Sequence, residues 1–135
     1  MQLFRSTKRC NRLLAVSSVL ALSAHTLPAL AADIVEIAWD SNGRFERSVT
    51  VPPAKFAEIC GKLPAGLNLR WAFDASTPLD FNIHYHVGKE VLFPAQLKAV
   101  AAVQDTLDTR IEQDYCWMWS NKSKLPATVT VKMQR

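Results

Sequence analysis

The sequence predicts an all-β protein, an antiparallel β-sandwich of about seven to eight short strands. Three observations carry that expectation. Apolar residues recur at every second position through much of residues 34–133, the period of a strand with one buried face. Turn formers such as Asn42-Gly43, Pro52-Pro53, Gly88-Lys89 and Asn121-Lys122-Ser123 interrupt the pattern at short intervals. Two cysteines, Cys60 and Cys116, remain once an N-terminal leader is set aside, an even pair suited to a small oxidised domain.

The leader comes first because it distorts the composition. Arg5, Lys8, Arg9 and Arg12 form a basic segment, LLAVSSVLAL (13–22) is apolar, and Ala29-Leu30-Ala31 is a small-x-small site. Residues 1–31 read as a secretory signal peptide cleaved after Ala31. The apolar run falls short of the roughly 20 residues that a membrane span needs, which favours a cleaved leader over the alternative of an uncleaved anchor; no transmembrane segment is expected in residues 32–135. Cys10 leaves with the leader. These residues hold four of the 16 basic groups and none of the 12 acidic ones, leaving 12 of each. A domain without net charge has no electrostatic footprint for nucleic acid. Export points to the periplasm, with the extracellular space or a secretory lumen as the alternative.

Residues 32–135 form one domain. IVEIAW (34–39) runs into Asn42-Gly43 and RFERSVTV (44–51), which together read as a hairpin. Pro52-Pro53 ends it, and KFAEICGKL (55–63) is the next strand. LPAG (63–66) turns. LNLRWAF (67–73) alternates cleanly, with Leu67, Leu69, Trp71 and Phe73 on one face. DASTP (74–78) reads as a turn. In DFNIHYHV (80–87), Phe81, Ile83, Tyr85 and Val87 face inward, while Asp80, Asn82, His84 and His86 face outward. EVLF (90–93) is a short strand. Residues 94–113 are ambiguous: alanine-rich and helix-compatible at first, strand-like at VQDTLDT. YCWMW (115–119) and ATVTVKM (127–133) complete the set. Trp71, Trp117 and Trp119 are expected to fill the core.

LRWAFDASTPLDFNIHYHV, followed later by DYCWMWSNKSKLPATVTVKM, resembles the GOLD (Golgi dynamics) domain. The pattern is a strand ending in an aromatic (Phe73) and then an alternating strand opening on an acid (Asp80). Tyr115, Trp119 and Asn121 follow, before a closing β-branched strand. The resemblance covers roughly residues 44–133. It implies a jelly-roll-like β-sandwich that binds proteins or lipids and performs no chemistry. In cargo-receptor members the two cysteines fall at positions matching Glu58 and Met118. Here they stand at 60 and 116, a pair of numbers with the same sum. A bridge moved along one antiparallel ladder, with its side chains on the same face, would look like this.

Read from the residues, Cys60 and Cys116 form one disulfide in an exported chain, closing a loop long enough to contribute about 4 kcal/mol. A reduced pair acting as metal ligands is the alternative. The other site signal is His84-x-His86, two imidazoles on one strand face that can chelate Cu²⁺ or Zn²⁺. Asp80 shares that face, and Glu90 beyond the turn offers an oxygen. Met118 offers a thioether suited to Cu(I). Catalytic patterns are missing: no G-x-S-x-G, no C-x-x-C and no phosphate-loop glycines. The expected function is therefore a small exported, non-catalytic binding module of the cell envelope, with a protein or a small ligand or lipid as partner. The alternative is a periplasmic copper- or zinc-binding protein using His84 and His86.

Overall fold

The computed structural model describes residues 33–135. The expected signal peptide, its cleavage site at Ala31 and Cys10 lie outside the described residues. Seven strands follow one another: β1 (Asp33–Glu36), β2 (Arg44–Val51), β3 (Phe56–Leu63), β4 (Asn68–Val87), β5 (Glu90–Asp108), β6 (Gln113–Ser120) and β7 (Ala127–Gln134). Hydrogen bonding runs β1-β3-β6-β4-β7-β2, with β5 on the other side of β4. No helix among the described residues is long and apolar enough to cross a membrane.

The architecture follows from β4. Its first part, Arg70–Ala75, pairs with β7, and its later part, Asp80–His84, pairs with β6. β5 accompanies β4 from Asn68 to Val87, with shifts of register between Asp74 and Leu79, Leu79 and Phe81, and Ile83 and Tyr85. Eight residues of straight strand would separate Phe73 from Phe81 by about 26 Å. Their ring centroids lie 4.8 Å apart. The strand therefore bends sharply and packs its two halves against each other. One layer is β2, β7 and the first part of β4; the other is β1, β3, β6 and its later part.

The faces meet as the alternation predicts, except at Val87, expected inward and 43% exposed at the end of β4. Leu69, Trp71, Phe73, Leu79, Phe81 and Ile83 of β4 are buried with Trp117 and Trp119 of β6 and Val129, Val131 and Met133 of β7. Phe73 meets Trp119 edge-on at 5.5 Å, and Phe81 meets Trp119 at 5.6 Å. Burying rings of 150–250 Å² each dominates the energetics of such a core. It also shuts away the indole N–H groups of Trp71, Trp117 and Trp119 without an acceptor among the described residues, at about 1–3 kcal/mol each. The buried polar groups Thr109 and Asn121 are satisfied. Asn121 Nδ2 donates to the carbonyls of Val51 and Leu125, and its Oδ1 accepts from Ser123 N–H.

Four sequence expectations change. Residues 74–78 are a bend within β4, and 67–73 and 80–87 are two parts of one strand. The helix-compatible segment is strand: β5 runs from Glu90 to Asp108, so pairing with β4 overrides the alanine propensity. The Asn42-Gly43 turn forms, with Gly43 N–H on the Asp40 carbonyl and Gly43 at φ +70°. It does not join a hairpin. β2 pairs with β7, while β1 lies parallel to β3, so the sheet is mixed. The reason is a notch at Gly61, where an added Cβ would stand 2.9 Å from the Ile37 side chain. Ile37 fills that notch, and its N–H bonds to the Cys60 carbonyl, drawing the first segment onto β3.

The bend is held from outside. Asp80 accepts the N–H of Ala99, a non-glycine residue at φ 53°, and pairs with Lys122 beyond β6. The Lys122 hydrogen bond, with the Ala99 N–H and the charge of Lys98, holds the Asp80 carboxyl below its usual range. A depressed native value means the unfolded chain takes up the proton first as pH falls. The contribution is complete above pH ~4 and is lost as pH drops through the native value. Asp80→Asn is expected to cost about 1–2 kcal/mol in urea unfolding at pH 7. The gap from wild type should narrow below pH ~4, and a gap independent of pH would remove the charge from the account. Gly61→Ala is expected to destabilise by about 1–3 kcal/mol. Combining it with Ile37→Ala should cost less than the two separate effects added, as a double-mutant cycle measures.

Candidate functional site

The side chains with chemistry gather on the outer face of the second layer. The register sets them in rows across β3, β6 and β4. Cys60 is opposite Cys116, which is opposite His84; one row along, Glu58 is opposite Met118, which is opposite Asn82. Period two puts all six on the face away from Ile59, Trp117 and Ile83. Cys60 and Cys116 are disulfide-bonded with Cα atoms 4.1 Å apart. The bridge crosses one ladder on which Glu58 and Met118 are also partners.

His84 is 8% exposed despite facing outward. The ring of His86 stands 5.5 Å from it and that of Phe93 6.0 Å. Its Nδ1 is 2.9 Å from Asn82 Oδ1. An amide oxygen only accepts, so Nδ1 carries the proton and Nε2 keeps its lone pair. Burial lowers the pKa of the ring, against the pull of Glu58. Its Nε2 looks toward Glu58 Oε1 at 4.0 Å, and the Glu58 side chain is 14% exposed. Cys60 Sγ lies 4.0 Å from Glu58 Oε2, but a disulfide sulfur has no proton to donate.

The structure thus separates the residues that the sequence suggested as one metal set. His84 and His86 are neighbours, one buried and one exposed. Asp80 is engaged at the bend. Glu90 is the register partner of Val87, and cross-strand partners share a face, so it lies opposite to His84 and His86. Met118 sits on the right face beside Glu58 and Asn82. The group whose donor atoms do converge is Glu58, His84 and Cys116, all within 4.8 Å of one another. Glu58 was missed from sequence. Its outward parity on β3 was legible, but its approach to His84 needs β6 between β3 and β4.

A second surface lies at β5. Among the described residues β5 pairs only with β4, leaving a long free edge. Val91, Leu92, Phe93 and Leu97 are exposed along it, Phe93 at 46%. Because β5 bends with β4, its two ends approach each other at the mouth of the sandwich. Leu92 and Phe93 there border a groove of about 360 Å³ with Asp108, Arg110, Tyr85 and Tyr115.

No family model matches the chain, and neither does any curated protein. Solved structures do share its fold. The periplasmic inhibitor of g-type lysozyme, PliG, from Salmonella Typhimurium superposes with a TM-score of 0.52 at 10% identity, over 77% of this chain and 98% of that one. PliG from Aeromonas hydrophila gives 0.50 at 13% identity, over 76% and 97%. The pre-peptidase C-terminal domain of a Bacillus anthracis collagenase gives 0.52 at 7% identity, over 77% and 95%. At such identities the likeness is one of fold: the chain is an all-β sandwich similar to these domains. That supports the β-sandwich implied by the GOLD resemblance, without bringing in the GOLD family itself.

Proposed function

We propose that the chain is an exported, non-catalytic protein-binding module that engages its partner through the β5 edge and the groove beside it, and that a g-type lysozyme is that partner. The observation carrying this reading is the free edge of β5, studded with Val91, Leu92, Phe93 and Leu97. Long, apolar, unpaired edges invite pairing with another chain, and clustered exposed apolar groups mark interaction sites. The fold supports the choice of partner, since the PliG proteins that share it are named as inhibitors of g-type lysozyme. Their periplasmic setting agrees with the leader read at residues 1–31.

A lysis assay with a g-type lysozyme tests both parts. The protein is expected to inhibit with one-to-one stoichiometry. Phe93→Asp combined with Leu97→Asp is expected to weaken inhibition at least about tenfold, since buried aromatic anchors carry most of the energy of an interface. The far-ultraviolet dichroism of that variant should stay native. An uninhibited enzyme would remove lysozyme as the partner. Undiminished inhibition by the folded double variant would remove the β5 edge as the surface.

A further inference from the structure

We infer that the Cys60–Cys116 disulfide masks a Zn²⁺ site, which reduction opens, with Glu58, Cys60, Cys116 and His84 as its four ligands. This inference does not rest on the partner reading: its four ligands lie on β3, β4 and β6, and Phe93 of β5 only flanks the His84 ring.

The donors are already gathered. Cys60, Cys116 and His84 are successive register partners on three neighbouring strands, and Glu58 stands one row along on β3. A carboxylate oxygen of Glu58, a ring nitrogen of His84 and Sγ of Cys116 lie within 4.8 Å of one another, and Nε2 of His84 stands 4.0 Å from Glu58 Oε1. Cys60 Sγ is 4.0 Å from the other Glu58 oxygen. Ligands around a tetrahedral zinc, bound at about 2.0–2.3 Å, stand about 3–4 Å from one another. Glu58, His84 and Cys116 thus stand close to that spacing, and reduction lets the two sulfurs part to complete the shell.

The two groups that are not sulfur point the same way. His84 is buried, its Nδ1 at hydrogen-bond distance from Asn82 Oδ1 and its Nε2 aimed at Glu58. A metal-bound histidine needs that arrangement, with the second nitrogen donating to a fixed acceptor. Glu58 is mostly buried, and no group among the described residues donates a hydrogen bond to its carboxylate. Its carboxylate is therefore free to take a cation. Two thiolates, an imidazole and a carboxylate form a set suited to Zn²⁺.

The chemistry balances with a dithiol reductant. The dithiol attacks the disulfide, passes through a mixed disulfide and leaves as its own cyclic disulfide. The protein gains two electrons and two protons and holds two thiols. Zn²⁺ then displaces both thiol protons and forms two Zn–S bonds, with no further change of oxidation state.

The test titrates the purified protein with Zn²⁺ against a chromophoric chelator, before and after reduction by a phosphine. Dichroism is recorded on the same samples. The reduced protein is expected to bind one Zn²⁺ per chain at least about 100-fold more tightly than the oxidised protein. Co²⁺ in its place should give thiolate charge-transfer absorption and tetrahedral d–d bands. His84→Gln and Glu58→Gln should each weaken the reduced site at least about tenfold, and Asn82→Ala should do so through the orientation of His84. Equal affinity in the two redox states would overturn the inference. So would a reduced His84→Gln variant that binds as wild type does. If reduction alone unfolds the sheet, recovery of native dichroism on adding Zn²⁺ supports the site, and no recovery refutes it.

Discussion

The structure depends on one contact, Phe73 against Phe81 across the bend of β4. Twenty residues of strand cannot stay straight in a domain this small and still bury both halves of their apolar face. Bending places those halves against each other and hands one flank of the strand to two partners, β7 and then β6. β5 must follow the same curve, so the hairpin belongs to both layers. Asp80 and Ala99 sit at the corner, and the aromatic cluster with Trp119 fills it from within.

The free edge and the outer sheet face follow from that constraint. A hairpin that closes two layers along one side leaves its second strand with no further neighbour among the described residues. Among the described residues the interior is almost wholly apolar, and the side chains with chemistry lie on the outside. There the register, rather than proximity in sequence, brings groups together. Residues 58, 60, 84 and 116 come from three strands and meet because β6 stands between β3 and β4.

Much of this was legible in the sequence. Alternation identified the inward faces of β2, β4, β6 and β7, because a one-residue slip would expose every apolar side chain. The constant sum of 58 with 118 and 60 with 116 anticipated the β3–β6 ladder. Turn residues located Gly43 and Gly88. What alternation does not carry is a third dimension. DASTP has the composition of a turn, and only the packing of Phe73 on Phe81 shows that it bends one strand. The alanines of β5 favour helix locally, and strand pairing along β4 outweighs them. The parallel placement of β1 rests on Ile37 filling the space over Gly61, a fit between residues far apart in sequence. His84 reads as exposed by parity and is buried because Phe93 and His86 flank it.

The bend can be measured directly in solution. Nuclear Overhauser contacts among the assigned ring protons of Phe73, Phe81 and Trp119 report on distances of about 5 Å, far below the roughly 26 Å that a straight strand would impose. Strong cross-peaks between the Phe73 and Phe81 rings, shared with Trp119, are the predicted result. A Phe73 ring with no contact to Phe81, beside normal cross-strand contacts of each half with its own neighbours, would contradict the folding of β4 onto itself and the two-layer account built on it.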